Sequence, residues 1–509
     1  METVSNRWKE LHKTDLLPEQ HIEITYKVTE TGVNDSYTAE DNGHVPWSNL
    51  NRLDSADNIP KYATLEQNIW SLDGSLTIPY TPYGDGKYVG DVLSNDDGTF
   101  TAIPTIILRW SKANEGLIPG LTIQWSETYE EYPVSYRVKV YNGDTLIHQL
   151  VNEDNASAFN VFLIDIQNYD RIEVEILKWC LPRRRARMEK VFVGIVNTYT
   201  KGDLMSYSHE DSVDILSGEL PKDSITFSLD NVESQWNPLN TEGVSKYLME
   251  RQTLHVRYGM DIDGMTEWID GGVFFLSEWN TPSNGIEASF TARDMLEFLN
   301  APYTGVKSGS LYDIAIAAIT QVELPDDATY RFDTSLLAID VDFAEDTSDY
   351  TVAEILQMTA NAGRCILYQD RKGCLRIEPA SSVLSDYIIS QYVSYSHPEF
   401  TLSKELRSVS VNDGMAVVDN GNKGEVQTVD NPLVTTASHA SDVGTWIKDT
   451  LKGRKTVSGE FRADTRLSAG DMVTVENKFS EAGNKVFVTS IKYDFGGAFK
   501  GTFEGRVMD

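Results

Sequence analysis

Step-of-two alternation between apolar and polar side chains, interrupted by Asn/Asp–Gly turns, runs through residues 22 to 195 and returns in the closing hundred residues, and it confines most of this chain to β-sheet. Thr105–Trp110, Leu121–Trp125, Tyr136–Tyr141 and Arg171–Ile176 read as strands, with turn signals at Asn95-Asp96-Asp97-Gly98 and Asn142-Gly143-Asp144. Their spacing predicts a sandwich, jelly-roll or discoidin-like, over residues 1–195.

Beyond residue 195 the pattern predicts further strands. Ser224–Asn231 and Thr253–Gly259 alternate strictly and imply an antiparallel pair, Gly271–Trp279 continues the sheet, and Ala288–Phe290 follows a turn at Pro282–Gly285. Residues 292–299 then shift to helical spacing. Between 306 and 385 an α/β insert is expected. There Leu311, Ala315, Ala318 and Ile319 share one helix face, while Thr351 and Glu354 form a capping box for a second helix. Gly363 stands where a left-handed C-cap belongs, and a hairpin pairs Arg364–Tyr368 with Cys374–Glu378. The last segment, 386–509, shows strands at Ser408–Val411 and Met415–Val418 and a helix with Val443, Trp446, Ile447 and Leu451 on one face. In the strand Val486–Phe495, Phe487, Ile491, Tyr493 and Phe495 are expected on one side, with Val486, Val488, Ser490 and Lys492 on the other.

A chain of 509 residues exceeds one hydrophobic core, so a mainly β, multidomain fold is expected. No apolar run approaches the roughly 18 residues of a membrane helix. The first residues lack the apolar core and cleavage site of a secretory signal, so synthesis is expected to end in the cytoplasm. A net charge of −33 disfavours general binding to nucleic-acid phosphate. Cys180, Cys365 and Cys374 lack the paired short spacing of a zinc or redox motif and read as reduced thiols, although Cys365 and Cys374 flank a turn and could face each other across strands. The eight histidines, at 12, 21, 44, 148, 209, 255, 397 and 439, show no ligand-like spacing. Nucleophile elbow, phosphate loop and dinucleotide fingerprint are all missing, so neither an enzyme nor a cofactor is expected. Paired carboxylates such as Asp340 with Asp342, or Glu130 with Glu131, follow from the 77 acidic residues alone.

Two groups of residues are candidates for binding. Trp47, Tyr80, Tyr83 and Tyr88 lie near loops, where aromatic faces can stack on sugar rings, and Asp85 could accept sugar hydroxyls or, with Asp91, bind calcium. Tyr80, Tyr83 and Tyr88 are expected to be exposed, whereas Trp70 reads better as core. The one basic run, Arg183-Arg184-Arg185-Ala186-Arg187, would place Arg183, Arg185 and Arg187 on one strand face, as an ion-paired domain border or as a contact for a partner or phosphate.

Asn431-Pro432-Leu433, Gly470-Asp471 and the closing run Gly496–Arg506 resemble the end of a baseplate-hub protein of phage and prophage tails, over about residues 195–509. The stretch Pro46–Ser75 resembles the N-terminal module of tail proteins in prophages of Gram-positive bacteria, over about 40–195. The resemblance implies hub-type β-barrels at 196–305 and 386–509 around the insert. It implies a homotrimer whose six barrels continue the tail tube at the tip of a virion, with tail-tube proteins as partners and DNA passing an acidic lumen without specific binding. Host-surface glycan would be a further partner of the N-terminal module. The competing classes are a carbohydrate-binding surface protein and a glycan- or cell-wall-degrading enzyme.

Overall fold

The computed structural model describes residues 1–508 apart from 15, 30–32, 35, 51–52, 54–61, 65, 68, 70–86, 127, 233, 238, 241–244, 246–247, 249, 281–284, 326–327 and 343–348. The chain is mainly β and divides into two units, one of residues 27–197 and one joining residues 1–26 to 198–509. The sandwich read over 1–195 therefore begins only at Lys27. Among the described residues no helix is long and apolar enough to cross a membrane.

In the smaller unit a five-stranded sheet runs in the order Thr38–Asp41, Thr105–Asn114, Tyr169–Trp179, Pro133–Asn142 and Thr145–Asn152. A three-stranded sheet places Ile118–Gln124 between Lys190–Val193 and Phe159–Ile166. Alternate residues of these strands, among them Ile106, Leu108, Val138, Val140, Ile172 and Val174, fill one core with Trp110, Trp125 and Tyr136. The period of two thus becomes an inner and an outer face. Gly120 permits one close approach: at φ +146° a Cβ there would lie 1.6 Å from the Phe162 carbonyl oxygen.

The larger unit carries a 13-stranded sheet. Its path runs Ile195–Thr200, Gln20–Val28, Thr253–Ile262, Met265–Asn280, Glu287–Arg293, Lys222–Asp230, Leu204–Ser212, Ser480–Phe495, Phe499–Val507, Lys455–Arg462 and Glu399–Leu402. Met472–Asn477 branches from Ser480–Phe495 and pairs in parallel with Leu384–Ile389. The strands expected in two separate barrels thus join in one path where Leu204–Ser212 pairs antiparallel with Ser480–Phe495. A register shift between Val488 and Ser490 turns the second of these strands, so that Val486, Phe487 and Val488 are all buried and the expected strict division of faces holds only from Ile491 onward.

Local signals in the insert formed as expected, with differences at two ends. Helix Leu311–Thr320 starts from a Ser310/Asp313 capping box, and Val352–Ala362 from Thr351/Glu354. Gly363 is right-handed at φ −78°, and the left-handed residue is Arg364 at φ 59°. Glycine serves packing there, since a Cβ would lie 2.3 Å from Leu336 Cδ2. The helical spacing at 292–299 yields only one 3-10 turn, Met295–Phe298, capped by Asp294, because Glu287–Arg293 continues as strand against Lys222–Asp230. Helix Ala437–Leu451 shares one core with the two insert helices. The Asn-Pro-Leu motif is the joint: Asn431 Nδ2 donates to the Met358 carbonyl and to Asn361 Oδ1, both at 2.8 Å, and its Oδ1 accepts from Leu433 N. In the hairpin Asp370 N donates to the Cys374 carbonyl, so Cys374 does not face Cys365, and all three thiols are free.

Candidate functional site

The structure takes the basic run apart. Arg187 is buried and makes a two-pronged ion pair with Glu66, with Nη1 donating to Oε1 at 3.0 Å and Nη2 to Oε2. Its guanidinium also lies 4.6 Å from the centre of the Tyr129 ring. Arg184, likewise buried, pairs with Glu131 at 3.0 Å. Arg185 donates to the carbonyls of Gly90 and Asp91. Of the three arginines expected on one face, only Arg183 is exposed, where it pairs with Asp96 at 2.8 Å. Burial alone would raise the Glu66 carboxyl, but Arg187, Thr64 and the Arg185 amide outweigh it and hold the group below the usual carboxylate range. Glu131, paired less closely, is pushed up by burial.

Of the aromatic group, Trp47 and Tyr88 are among the described residues. Tyr88, expected in an exposed loop, is fully buried on the strand Tyr88–Leu93, where it joins the sandwich core. Tyr80, Tyr83, Asp85 and Trp70 lie outside the described residues. Trp47 is half-buried at a recess shared with Tyr62, Tyr129 and Arg187, whose volume of about 20 Å³ accommodates a water molecule rather than a sugar ring.

A dense group of buried ionisable side chains sits in the larger unit, where spacing did not point. Tyr207, His209 and Asp211 alternate on Leu204–Ser212, and Lys222–Asp230 brings Asp223 alongside. His209 Nδ1 lies 2.7 Å from Tyr258 Oη and Nε2 lies 2.7 Å from Asp223 Oδ1, while Tyr258 Oη meets Tyr207 Oη at 2.7 Å. Both ring nitrogens are thus engaged within the group. Arg371, on the hairpin turn, ties the group to neighbouring loops: Nε donates to Ser468 Oγ, and the two Nη groups donate to the carbonyls of Asp270, Thr465 and Leu467. Asp211, Asp223 and Arg371 line a polar cavity of about 260 Å³. The one signal for this group in the sequence is the Tyr-x-His-x-Asp alternation at 207–211.

Burial sets the charge states. It lowers His209 to about 4, raises Asp211 and Asp223 each to about 7, and raises Asp294 beside them. From pH about 4 to 7 the folded chain therefore holds protons on Asp211 and Asp223 that the unfolded chain releases. Stability from these carboxylates is complete below the unfolded value near 4 and is lost as pH rises through 7. His209 works oppositely between about 4 and 6.5, so above pH 6.5 the carboxylates act alone. Asp223→Asn should flatten the decline of stability between about pH 5 and 7 by up to about 1.4 kcal/mol per pH unit. Denaturant unfolding across that range checks this, and an unchanged slope would refute it.

No protein-family model and no curated protein sequence matches the chain. Solved structures similar to it include tail proteins and a component of the type VI secretion system from E. coli. A tail protein from Neisseria meningitidis MC58 is 14% identical over 62% of this chain and 94% of its own, with a TM-score of 0.44. A 43 kDa tail protein of prophage MuSo2 from Shewanella oneidensis is 14% identical over 62% of this chain and 97% of its own, at 0.43. The prophage tail protein gp18 from Listeria monocytogenes EGD-e is 10% identical over 61% and 91%, at 0.39.

Proposed function

We propose that this chain is a structural component of a phage or prophage tail, a baseplate-hub protein that acts through its surfaces and assembles as a ring of three copies continuing the tail tube. The observation that carries this reading is an apolar sheet margin. Glu399–Leu402 ends the strand path with a hydrogen-bonded neighbour on one side, Lys455–Arg462. The segment leading to it exposes Val383, Ile388, Tyr392 and Tyr395, and the strand itself exposes Leu402, with Tyr392 84% and Leu402 66% accessible. Open strand edges flanked by exposed apolar side chains favour association with another chain. The buried His209 group supports a structural role, since its polar atoms hold one another. The charge of −33 suits a lumen past which DNA moves without sticking. Glycan recognition by the smaller unit would rest on Tyr80, Tyr83 and Asp85, since Tyr88 is buried.

Light scattering of the purified chain over a concentration series tests assembly. A mass three times that of the 57.1 kDa chain is expected, and Leu402→Glu with Tyr392→Glu should return it to one chain without changing the circular dichroism. A wild-type chain that stays monomeric at every concentration, alone and with tail-tube protein, would overturn the reading.

A further inference from the structure

Glu19 and His21, two apart, lie on one side of the pairing between Gln20–Val28 and Thr253–Ile262, in which Gln20 faces Met260 and His21 faces Gly259. Asp261 N donates to the Glu19 carbonyl at 3.0 Å, so Asp261 stands opposite Glu19, and the three side chains share one face of the sheet. The structure brings their ligand atoms within 4.8 Å of one another, with Asp261 Oδ1 2.9 Å from His21 Nε2. Bonds of about 2.0–2.2 Å to one tetrahedral ion place neighbouring ligand atoms about 3.4 Å apart, a separation that small side-chain rotations reach from this arrangement.

We propose that Glu19, His21 and Asp261 form a site for a divalent transition ion of the zinc type, with one imidazole and two carboxylates as protein ligands and water completing the shell. The imidazole selects against calcium and magnesium, which take oxygen ligands. Thr266 Oγ1 donates to Asp261 Oδ1 at 2.7 Å and orients that carboxylate, as partners behind metal ligands do. A cation already neighbours the group, since Lys201 Nζ pairs with Glu19 and the ion would take its place. Spacing could not disclose the site, because His21 and Asp261 are 240 positions apart. A bound ion would fasten Glu19–His21 to the neighbouring strand.

Calorimetric titration of the metal-stripped full chain with zinc chloride tests the site. One-to-one binding is expected, weakened at least about tenfold by His21→Ala and not displaced by excess calcium chloride. Lys201→Ala, which removes the competing ammonium, should tighten binding severalfold, a gain that a misfolded variant would not give. Zinc binding that is absent, survives His21→Ala unchanged or yields to calcium would overturn the proposal.

Discussion

A chain carrying Arg371→Met loses about 3–5 kcal/mol of stability in the larger unit, enough to unfold a marginal protein at moderate temperature. Arg371 is 8% exposed and gives its donors to one hydroxyl and three backbone carbonyls, at 2.9, 3.0, 2.6 and 2.7 Å. Those carbonyls, of Asp270 on one side and Thr465 and Leu467 on the other, come from two separate parts of the chain, and the guanidinium binds them at once. Removing it takes a donor from the Asp270 and Thr465 carbonyls at about 1–3 kcal/mol each, while the Leu467 carbonyl keeps the Tyr493 hydroxyl at 2.7 Å, and the methionine's apolar volume offsets the penalty only in part. Arg371→Lys should recover only part of the loss, because an ammonium lacks the flat fork that serves several acceptors. Denaturant unfolding gives the comparison, and a lysine chain as stable as wild type would show that charge alone matters there.

In the smaller unit the largest effect is expected at Glu66. Glu66→Ala leaves Arg187 buried, with Glu131 at 3.8 Å as its remaining carboxylate, and should cost about 3–5 kcal/mol. Replacing both partners, Glu66→Leu with Arg187→Met, removes the uncompensated charge together with its partner and should restore most of that loss, since a buried ion pair exchanged for well-packed apolar groups is often close to neutral. Tryptophan fluorescence during urea unfolding reports this directly, because Trp125 and Trp179 lie in the same unit. A double variant as unstable as Glu66→Ala would instead assign the loss to packing around Arg187.

These two residues also mark the limit of what the sequence discloses. The cap at Thr351 lies three positions from Glu354, so chain order alone locates it, and the alternating strands were legible for the same reason, whereas the equally local Ser310/Asp313 box was missed. Arg371 bonds residues 94 to 101 positions away, and Arg187 meets Glu66 across 121, distances at which spacing carries no information. The basic run reads as one strand with Arg183, Arg185 and Arg187 on a single face, as an ion-paired border or a partner contact. In fact Arg183 takes a left-handed φ of 59°, and the strand begins only at Arg185, so the faces separate. Gly363 was misread for a related reason: a C-cap glycine and a packing glycine look identical until Leu336 is in place.

The pairing of Leu204–Ser212 with Ser480–Phe495 joins residues such as Glu210 and Lys492, 282 positions apart. During synthesis the smaller unit, an unbroken segment from Lys27 to Asn197, can complete its core while the rest is still being made. The strand Gln20–Val28 must wait for Thr253–Ile262, and Leu204–Ser212 must wait for almost the last residues of the chain. Contacts this distant are slow to form and leave strand edges open in the meantime. A newly made chain is therefore expected to pass through an interval as a folded module bearing an unfinished sheet, with open strand edges exposed to aggregation.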